Sequence, residues 1–111
     1  MNKTFYLKVG DNYPYYEYQV IDASLAPVDI SGATILATMK TADGITTKFA
    51  ARSAGNTIVD GPNGRAEYQW QTNDTSVAGQ YQIYFKIALP SGKTFTVPVD
   101  PNISAPIEVQ S

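Results

Sequence analysis

The fold is decided by one stretch of the chain, residues 79–89, GQYQIYFKIAL. After the opening glycine its odd positions are apolar or aromatic, and its even positions are mostly polar. Alternation with a period of two is typical of a β-strand that lays one face on a core, because successive side chains of a strand point to opposite sides. We therefore predict a long strand here, with Tyr81 facing the core and Tyr84 facing away from it.

The segment before it, residues 65–71, RAEYQWQ, alternates in the same way. Ala66, Tyr68 and Trp70 fall on one face of this second strand, and the residues between them are charged or polar. Trp70 is therefore predicted to be a large core side chain. The connection at residues 73–76, NDTS, is rich in turn-forming side chains.

Weaker alternation recurs along the whole chain. It predicts further short strands at residues 5–9, 16–20, 33–40, 46–51, 56–59, 93–97 and 107–109. Turn signals separate them, above all Asp43-Gly44 and the run DGPNG at 60–64. No segment repeats apolar residues at spacings of three, four and seven, as an amphipathic helix does. Seven to nine short strands with regular turns predict an all-β fold, a sandwich or a small barrel, in which residues 1–111 form a single domain.

The composition excludes several classes of function. The 111 residues include no cysteine and no histidine, so the chain has no thiolate nucleophile, no Cys or His zinc site and no imidazole acid or base. Its formal net charge of −2 provides no basic surface for a phosphate backbone. No apolar run is long enough for a signal peptide or a transmembrane helix. We therefore expect no cofactor, no nucleic-acid or membrane partner, and synthesis in a reducing cytoplasm.

Carboxylates in loops are the remaining candidates for chemistry. Asp60, Asp74 and Asp100 lie in or beside turn clusters. Their carboxylates are candidates for a calcium site or for an acid–base pair. The run at 60–64 supplies too few ligands at alternate positions for calcium, and loop aspartates commonly bond their own backbone. We therefore interpret them as turn residues and expect no metal ligand and no catalytic residue. A small hydrolase using Asp and Glu is the least favoured alternative, because a filled sandwich of this size rarely has the concave site it needs.

The junction at residues 74–81, DTSVAGQY, is more specific. An aspartate followed by Gly-x-Tyr at the start of a long strand is the way in which immunoglobulin-like sandwiches begin their F strand. Tyr81 is then a tyrosine corner, whose hydroxyl bonds the backbone a few residues upstream. Asp74 and Gly79 complete the motif, so we predict structural roles for these residues in an immunoglobulin-like antiparallel β-sandwich.

Three tyrosines fall on polar faces in this register: Tyr6, Tyr15 and Tyr84. Tyrosine is favoured at interfaces because it combines apolar area with a hydroxyl group. Cross-strand pairing or loop cover would explain these side chains without a partner. Two functional interpretations stand beside that one: a docking surface for another protein, and a platform on which sugar rings stack.

The order of the motifs resembles a known family, the N-terminal immunoglobulin-like domain of phage baseplate upper proteins. The matching stretches are VGD at 9–11, VDISGA at 28–33, GRAEYQW at 64–70, DT at 74–75, GQY at 79–81, TVP at 96–98 and IEV at 107–109. Together they span nearly the whole chain. We expect a stand-alone version of the domain, without the C-terminal part through which the family holds receptor-binding proteins.

The resemblance implies a non-enzymatic virion structural protein, made in the bacterial host cytoplasm, that assembles with other phage proteins in several symmetry-related copies. The tail, baseplate, neck and head remain open as positions, including that of a capsid decoration or head-fibre base protein. We expect residues 5–9 or 103–111 to be available for strand addition to a neighbour. The alternative is a carbohydrate-binding adhesin module that recognises a host cell-surface glycan.

Overall fold

The computed structural model describes residues 5–22, 24–97 and 106–110, and this part of the chain contains nine β-strands and no helix. In chain order they are β1 (Phe5–Lys8), β2 (Tyr16–Gln19), β3 (Thr34–Thr41), β4 (Thr47–Arg52), β5 (Asn56–Asp60), β6 (Arg65–Tyr68), β7 (Gly79–Ala88), β8 (Thr94–Val97) and β9 (Pro106–Gln110). The predicted all-β fold is confirmed, and the strands lie close to the segments that alternate in the sequence.

The strands form two sheets. The larger has the order β1-β9-β7-β3-β4, with β8 also paired to β7, and the smaller has the order β2-β6-β5. β3 pairs with β7 along residues 81–88. On the opposite edge of β7, β9 pairs with residues 79–82 and β8 with residues 85–88. The long strand predicted at 79–89 is therefore the centre of the larger sheet.

One pair of strands departs from the expected antiparallel arrangement. β1 and β9 run parallel, with Phe5 opposite Ile107 and Leu7 opposite Val109. Leu7 and Val109 are buried, so this pairing fills one end of the core from within the chain. The terminal segments thus pair with each other: β9 lies between β1 and β7 and is not free to join a neighbour, whereas β1 is the edge strand and keeps one edge without a partner in the described chain. Residues 103–105 and 111 of the predicted segment lie outside the described residues.

The core lies between the sheets and is built by alternate residues of the facing strands. β7 contributes Ile83, Phe85 and Ile87, and β6 contributes Tyr68, all buried. Tyr18 of β2 stacks on Phe85, with 4.2 Å between the ring centroids. Burying a large apolar side chain stabilises the fold by roughly 1.5–3 kcal/mol, so this aromatic layer is a main source of attraction between the two sheets.

The strand order matches that of the immunoglobulin sandwich. In that fold strands A, B, E and D form one sheet, and C, F and G form the other, to which variable-type domains add C′. Here β2-β6-β5 takes the place of B-E-D, β3 and β4 that of C and C′, and β7 that of F, while β8 and β9 share the place of G. Within the described residues, no strand takes the place of strand A beside β2.

Candidate binding surfaces

Tyr81 is the third residue of β7 and is almost fully buried. Its hydroxyl donates a hydrogen bond to the backbone carbonyl of Val77, with 2.8 Å between the two oxygens. Gly79 begins the strand, and a Cβ atom there would lie 3.6 Å from the Tyr81 ring. The bond joins β7 to the loop before it, which is the geometry of a tyrosine corner.

Asp74 does more than close a turn. It is 1% exposed, and its carboxylate accepts a hydrogen bond from the Gln71 amide at 2.8 Å, as a loop aspartate commonly does. It also accepts bonds from the Tyr68 hydroxyl at 2.7 Å and from Nη1 of Arg52 at 2.5 Å. Asp74 therefore bonds its own turn, as the sequence predicts, and its carboxylate is also the centre of a buried polar cluster, which the sequence does not predict.

The cluster of Arg52, Tyr68 and Asp74 connects three parts of the fold. Arg52 ends β4, Tyr68 ends β6, and Asp74 lies in the loop before β7. Arg52 also donates to the Tyr68 hydroxyl at 2.9 Å. Burial, together with the hydrogen bond to Asp74, raises the pKa of Tyr68 well above its usual range. Each of the three side chains hydrogen-bonds the other two. The cluster therefore fixes the loop against both sheets.

Trp70 lies just after β6 rather than within it. Its side chain is buried and packs edge-on against Tyr68, with 5.4 Å between the ring centroids. The indole Nε1 donates to the backbone carbonyl of Pro14 at 2.9 Å, so this residue ties the segment before β2 to the core. The immunoglobulin tryptophan lies on strand C instead, so the two residues are not equivalent.

Of the other two loop aspartates, the structure describes Asp60 alone. Asp60 accepts a hydrogen bond from the side-chain amide of Asn63 at 2.8 Å, within its own turn. Asp100 lies outside the described residues. In the part of the chain that the structure describes, acidic side chains do not group in threes as a metal ion would need. The same part contains no helix of the length and apolar character that crosses a membrane.

The structure does not gather the three outward tyrosines into one surface. Tyr6 on β1 is 59% exposed and Tyr84 on β7 is half-buried; both lie on the outer face of the larger sheet, with β9 between their strands. Tyr15 instead precedes β2 of the smaller sheet and packs edge-on against Tyr13, with 5.1 Å between the centroids. Tyr13 is the exposed ring of that pair, at 69%, although its position in the sequence did not single it out.

An apolar groove lies where the end of β2 meets the hairpin between β7 and β8. Its volume is about 550 Å³, and five apolar side chains line it: Val20, Ile21, Val28, Leu89 and Phe95. We name this surface the hairpin groove. Strand A of an immunoglobulin sandwich pairs with the strand that β2 represents, so the groove lies beside the place which that strand leaves open here.

The strands beside the hairpin groove have edges without a strand partner in the described chain. β2 pairs with β6 on one side, and on that side the Val20 amide donates to the Gly64 carbonyl at 2.7 Å. Alternate residues of an antiparallel strand direct their backbone groups to opposite edges, so Gln19 and Ile21 direct theirs to the open edge. β8 likewise pairs with β7 alone among the strands described here. An added strand could bond to either edge.

The loop after β2 holds another apolar side chain in solvent. The Asp22 carboxylate accepts hydrogen bonds from the amides of Ser24 at 2.8 Å and Ala26 at 3.1 Å. Leu25 lies between them with φ at 65° and is 75% exposed. This left-handed conformation is unfavourable for a bulky residue and concentrates at functional sites. Asp22, to which these amides bond, lines the hairpin groove, so the exposed Leu25 lies three residues along the chain from it.

A polar cleft of about 390 Å³ lies between residues 10–12 and 70–76. Two hydrogen bonds hold its walls together: the Thr75 hydroxyl donates to the Asp11 carbonyl at 2.7 Å, and the Gly10 amide donates to the Thr75 carbonyl at 3.0 Å. Side-chain amides of Asn12 and Asn73 line it. Amides both donate and accept hydrogen bonds, so the cleft suits a ligand rich in hydroxyl groups.

No protein-family model matches the chain, and no curated protein matches it in sequence. The resemblance to baseplate upper proteins therefore rests on the ordered motifs of the sequence. The sandwich is compatible with that resemblance, but one fold serves many functions. What the protein binds is therefore indicated by its surfaces and not by its fold.

Proposed function

We propose that this protein is a non-enzymatic structural protein of a tailed-phage virion and that it accepts an extended segment of a neighbouring virion protein at the hairpin groove. The observation that carries the proposal is an open apolar groove beside the edges of β2 and β8 with which none of the described strands pairs. The baseplate-type motifs of the sequence supply the virion context.

A strand added at the groove would find both kinds of contact that strand addition requires. The open edges of β2 and β8 offer backbone donors and acceptors, while the groove accepts alternate side chains. Ile21 is 40% exposed in the free protein, so it has apolar area to lose on binding. A fully buried aliphatic side chain contributes roughly 1.5–3 kcal/mol. Two or three such anchors, together with the backbone bonds, would offset the entropy of ordering the incoming segment.

The proposed contact also suits a particle made of repeated subunits, because every copy presents the same groove to its neighbour. The chain would be made in the bacterial host cytoplasm and function in the virion. Its position in the tail, baseplate, neck or head is read directly from a density map of the particle, in which a sandwich of this size is recognisable.

The experiment compares two isoleucines that differ in position. Ile21 lines the hairpin groove, whereas Ile45 lies in the turn between β3 and β4 and is 82% exposed. Ile21→Lys and Ile45→Lys are each produced in the phage host, and the purified particles are analysed by quantitative mass spectrometry. We expect the parent and Ile45→Lys in the particles and loss of Ile21→Lys, with equal melting temperatures for all three isolated proteins. Absence of the parent chain from the particles would refute the virion role.

A second candidate function, glycan binding, is favoured by one observation. The exposed Tyr13 ring follows directly on Asn12, which lines the polar cleft. Aromatic rings with polar side chains beside them form the amphipathic kind of surface that sugars need. The protein would then be a carbohydrate-binding adhesin module for a host cell-surface glycan.

A glycan array tests this second function directly. Binding by the parent that is lost in Tyr13→Ser and kept in the matched surface variant Tyr6→Ser would support the adhesin. If the protein enters the particle but binds no glycan on the array, the glycan-binding function is refuted and only the assembly function remains.

A further inference from the structure

The outer face of the larger sheet carries two lysines at its centre that have no ion-pair partner among the described residues. Lys40 of β3 and Lys86 of β7 point away from the core, and Tyr84 lies between them in the register of the two strands. Nζ of Lys40 is 5.9 Å from the centre of the Tyr84 ring. The outward positions of β3 and β7 include no acidic residue. We name Lys40, Tyr84 and Lys86 the lysine face.

The outer face of the smaller sheet carries the opposite charge. Glu17 of β2 and Glu67 of β6 are directly opposite each other in the antiparallel register. Val59 of β5 lies on the same face and is 58% exposed, and a shallow depression of about 260 Å³ runs between Glu17 and Val59. We name Glu17, Val59 and Glu67 the glutamate face. Arg65 adds one cation at its end, opposite Gln19.

Neither face forms an ion pair of its own within the described residues, although Glu108 of β9 lies opposite Gln80 and Asp60 lies opposite Arg65. Within residues 5–22, 24–97 and 106–110 the one ion pair is that of Arg52 with Asp74, which lies on neither face. Like charges directly opposite on neighbouring strands are destabilising, so the Glu17–Glu67 pair is unfavourable in an isolated copy. A cation placed over it from outside would remove that repulsion.

We propose that copies of this protein associate head to tail, with the lysine face of one copy against the glutamate face of the next. The two faces lie on opposite sides of the sandwich, so each copy can hold one neighbour on each side. Such a heterologous contact builds a ring when the rotation closes and an open stack when it does not. Complementary charge would orient the copies, while Tyr84 and Val59 would supply apolar area at the contact. The association needs neither the hairpin groove nor a partner protein.

Sedimentation velocity of the purified chain over a range of concentrations tests the proposal. We expect larger species at high concentration in low salt, and their loss in high salt, because salt screens exposed charges. Reversal of either face, in Lys40→Glu/Lys86→Glu or in Glu17→Lys/Glu67→Lys, places like charges across the contact and should weaken association by at least about tenfold. Circular dichroism confirms that each variant is folded.

Mixing the two reversed variants is the decisive step. One variant is acidic on both faces and the other is basic on both, so each should remain monomeric alone while the mixture associates with the two alternating. If a reversed variant fails to fold, the neutral pairs Lys40→Gln/Lys86→Gln and Glu17→Gln/Glu67→Gln replace it, and each should weaken association. A parent that stays monomeric throughout, or reversals without effect, or a mixture that does not associate, would overturn the proposal. None of these results bears on the groove, which Ile21→Lys tests separately.

Discussion

Arg52 and Asp74 form an ion pair that ties the edge of the larger sheet to the loop before its central strand. Nη1 of Arg52 lies 2.5 Å from Oδ1 of Asp74, and the side chains are 28% and 2% exposed. The guanidinium also lies over the Phe49 ring, 4.1 Å from its centre. The Asp74 carboxylate is therefore shielded from water, and its charge is compensated by Arg52 and by hydrogen bonds from Tyr68 and Gln71. A buried charge of this kind is sensitive to substitution of its partners or of itself.

Asp74→Asn should destabilise the protein by about 3 kcal/mol, because it removes the counter-charge of Arg52 and replaces one buried carboxylate oxygen that accepts hydrogen bonds with a donor. Urea denaturation followed by fluorescence of Trp70 measures the change. Glu17→Gln is the matched control: the same carboxylate-to-amide change on an exposed carboxylate that faces Glu67 should leave stability equal or slightly higher. Equal stability of Asp74→Asn and the parent would show that the cluster of Arg52, Tyr68 and Asp74 does not stabilise the fold.

Tyr81→Phe and Tyr18→Phe delete the same hydroxyl from two different environments. The Tyr81 hydroxyl bonds Val77, and its loss should cost roughly 1–3 kcal/mol because it leaves a carbonyl without a partner. The Tyr18 hydroxyl is buried and has no hydrogen-bond partner among the described residues, so its deletion should be neutral or stabilising by about 1 kcal/mol. Chemical denaturation of both variants checks the pair. A larger loss in Tyr18→Phe than in Tyr81→Phe would contradict the tyrosine corner.

Gly64→Ala and Gly44→Ala separate backbone conformation from close packing. Both glycines have a left-handed backbone, with φ of 70° and 77°. A Cβ atom on Gly64 would lie 2.6 Å from the Val20 carbonyl oxygen, whereas one on Gly44 would meet nothing within 4 Å. Gly44→Ala should cost roughly 1–2 kcal/mol, and Gly64→Ala should cost about 2 kcal/mol more, because backbone must move. Equal losses in thermal unfolding would argue against the close approach.

The protein should lose stability in alkali. Burial raises the pKa of Tyr16, Tyr18 and Tyr68 above the ordinary value of 10.0. The folded state therefore keeps these phenols protonated at a pH where the unfolded chain releases its protons. Their contribution is full below pH 10.0 and is lost as the pH rises above it. Denaturation at a series of pH values should show a falling free energy of unfolding, with a smaller slope in Tyr18→Phe. Constant stability through this range would contradict the buried placement.

Local alternation was sufficient to predict most of the fold. It placed nearly all strands and the inward faces of β3, β6 and β7, because a half-buried strand must alternate. The motif of Asp74, Gly79 and Tyr81 also lies at one short junction, where local spacing is informative. Trp70 was placed in the core correctly but within a strand that ends two residues earlier.

Contacts between segments that are distant in the sequence could not be predicted from local alternation. Arg52 meets Asp74 only because the end of β4 lies against the loop between β6 and β7, and neither sequence neighbourhood carries a sign of this contact. Alternation predicts a strand without naming its partner or direction, so the parallel pairing of β1 with β9 was missed. The hairpin groove arises from the open place beside β2, and an open place leaves no pattern in the sequence. Tyr6 and Tyr84 lie on the larger sheet, whereas Tyr15 lies beside the smaller one. Alternation does not predict which strands share a sheet, so this separation could not be predicted either.

Photo-crosslinking inside the virion tests the proposed assembly function most directly. A photoreactive amino acid replaces Ile21 in the hairpin groove, or Ile45 in the remote turn, and assembled particles are irradiated and digested for mass spectrometry. We predict that the probe at residue 21 forms one dominant crosslink, to an extended segment of another virion protein, and that the probe at residue 45 does not form it. Particles that contain the chain but give no crosslink from residue 21, or the same crosslinks from both positions, would contradict the groove as the site of assembly.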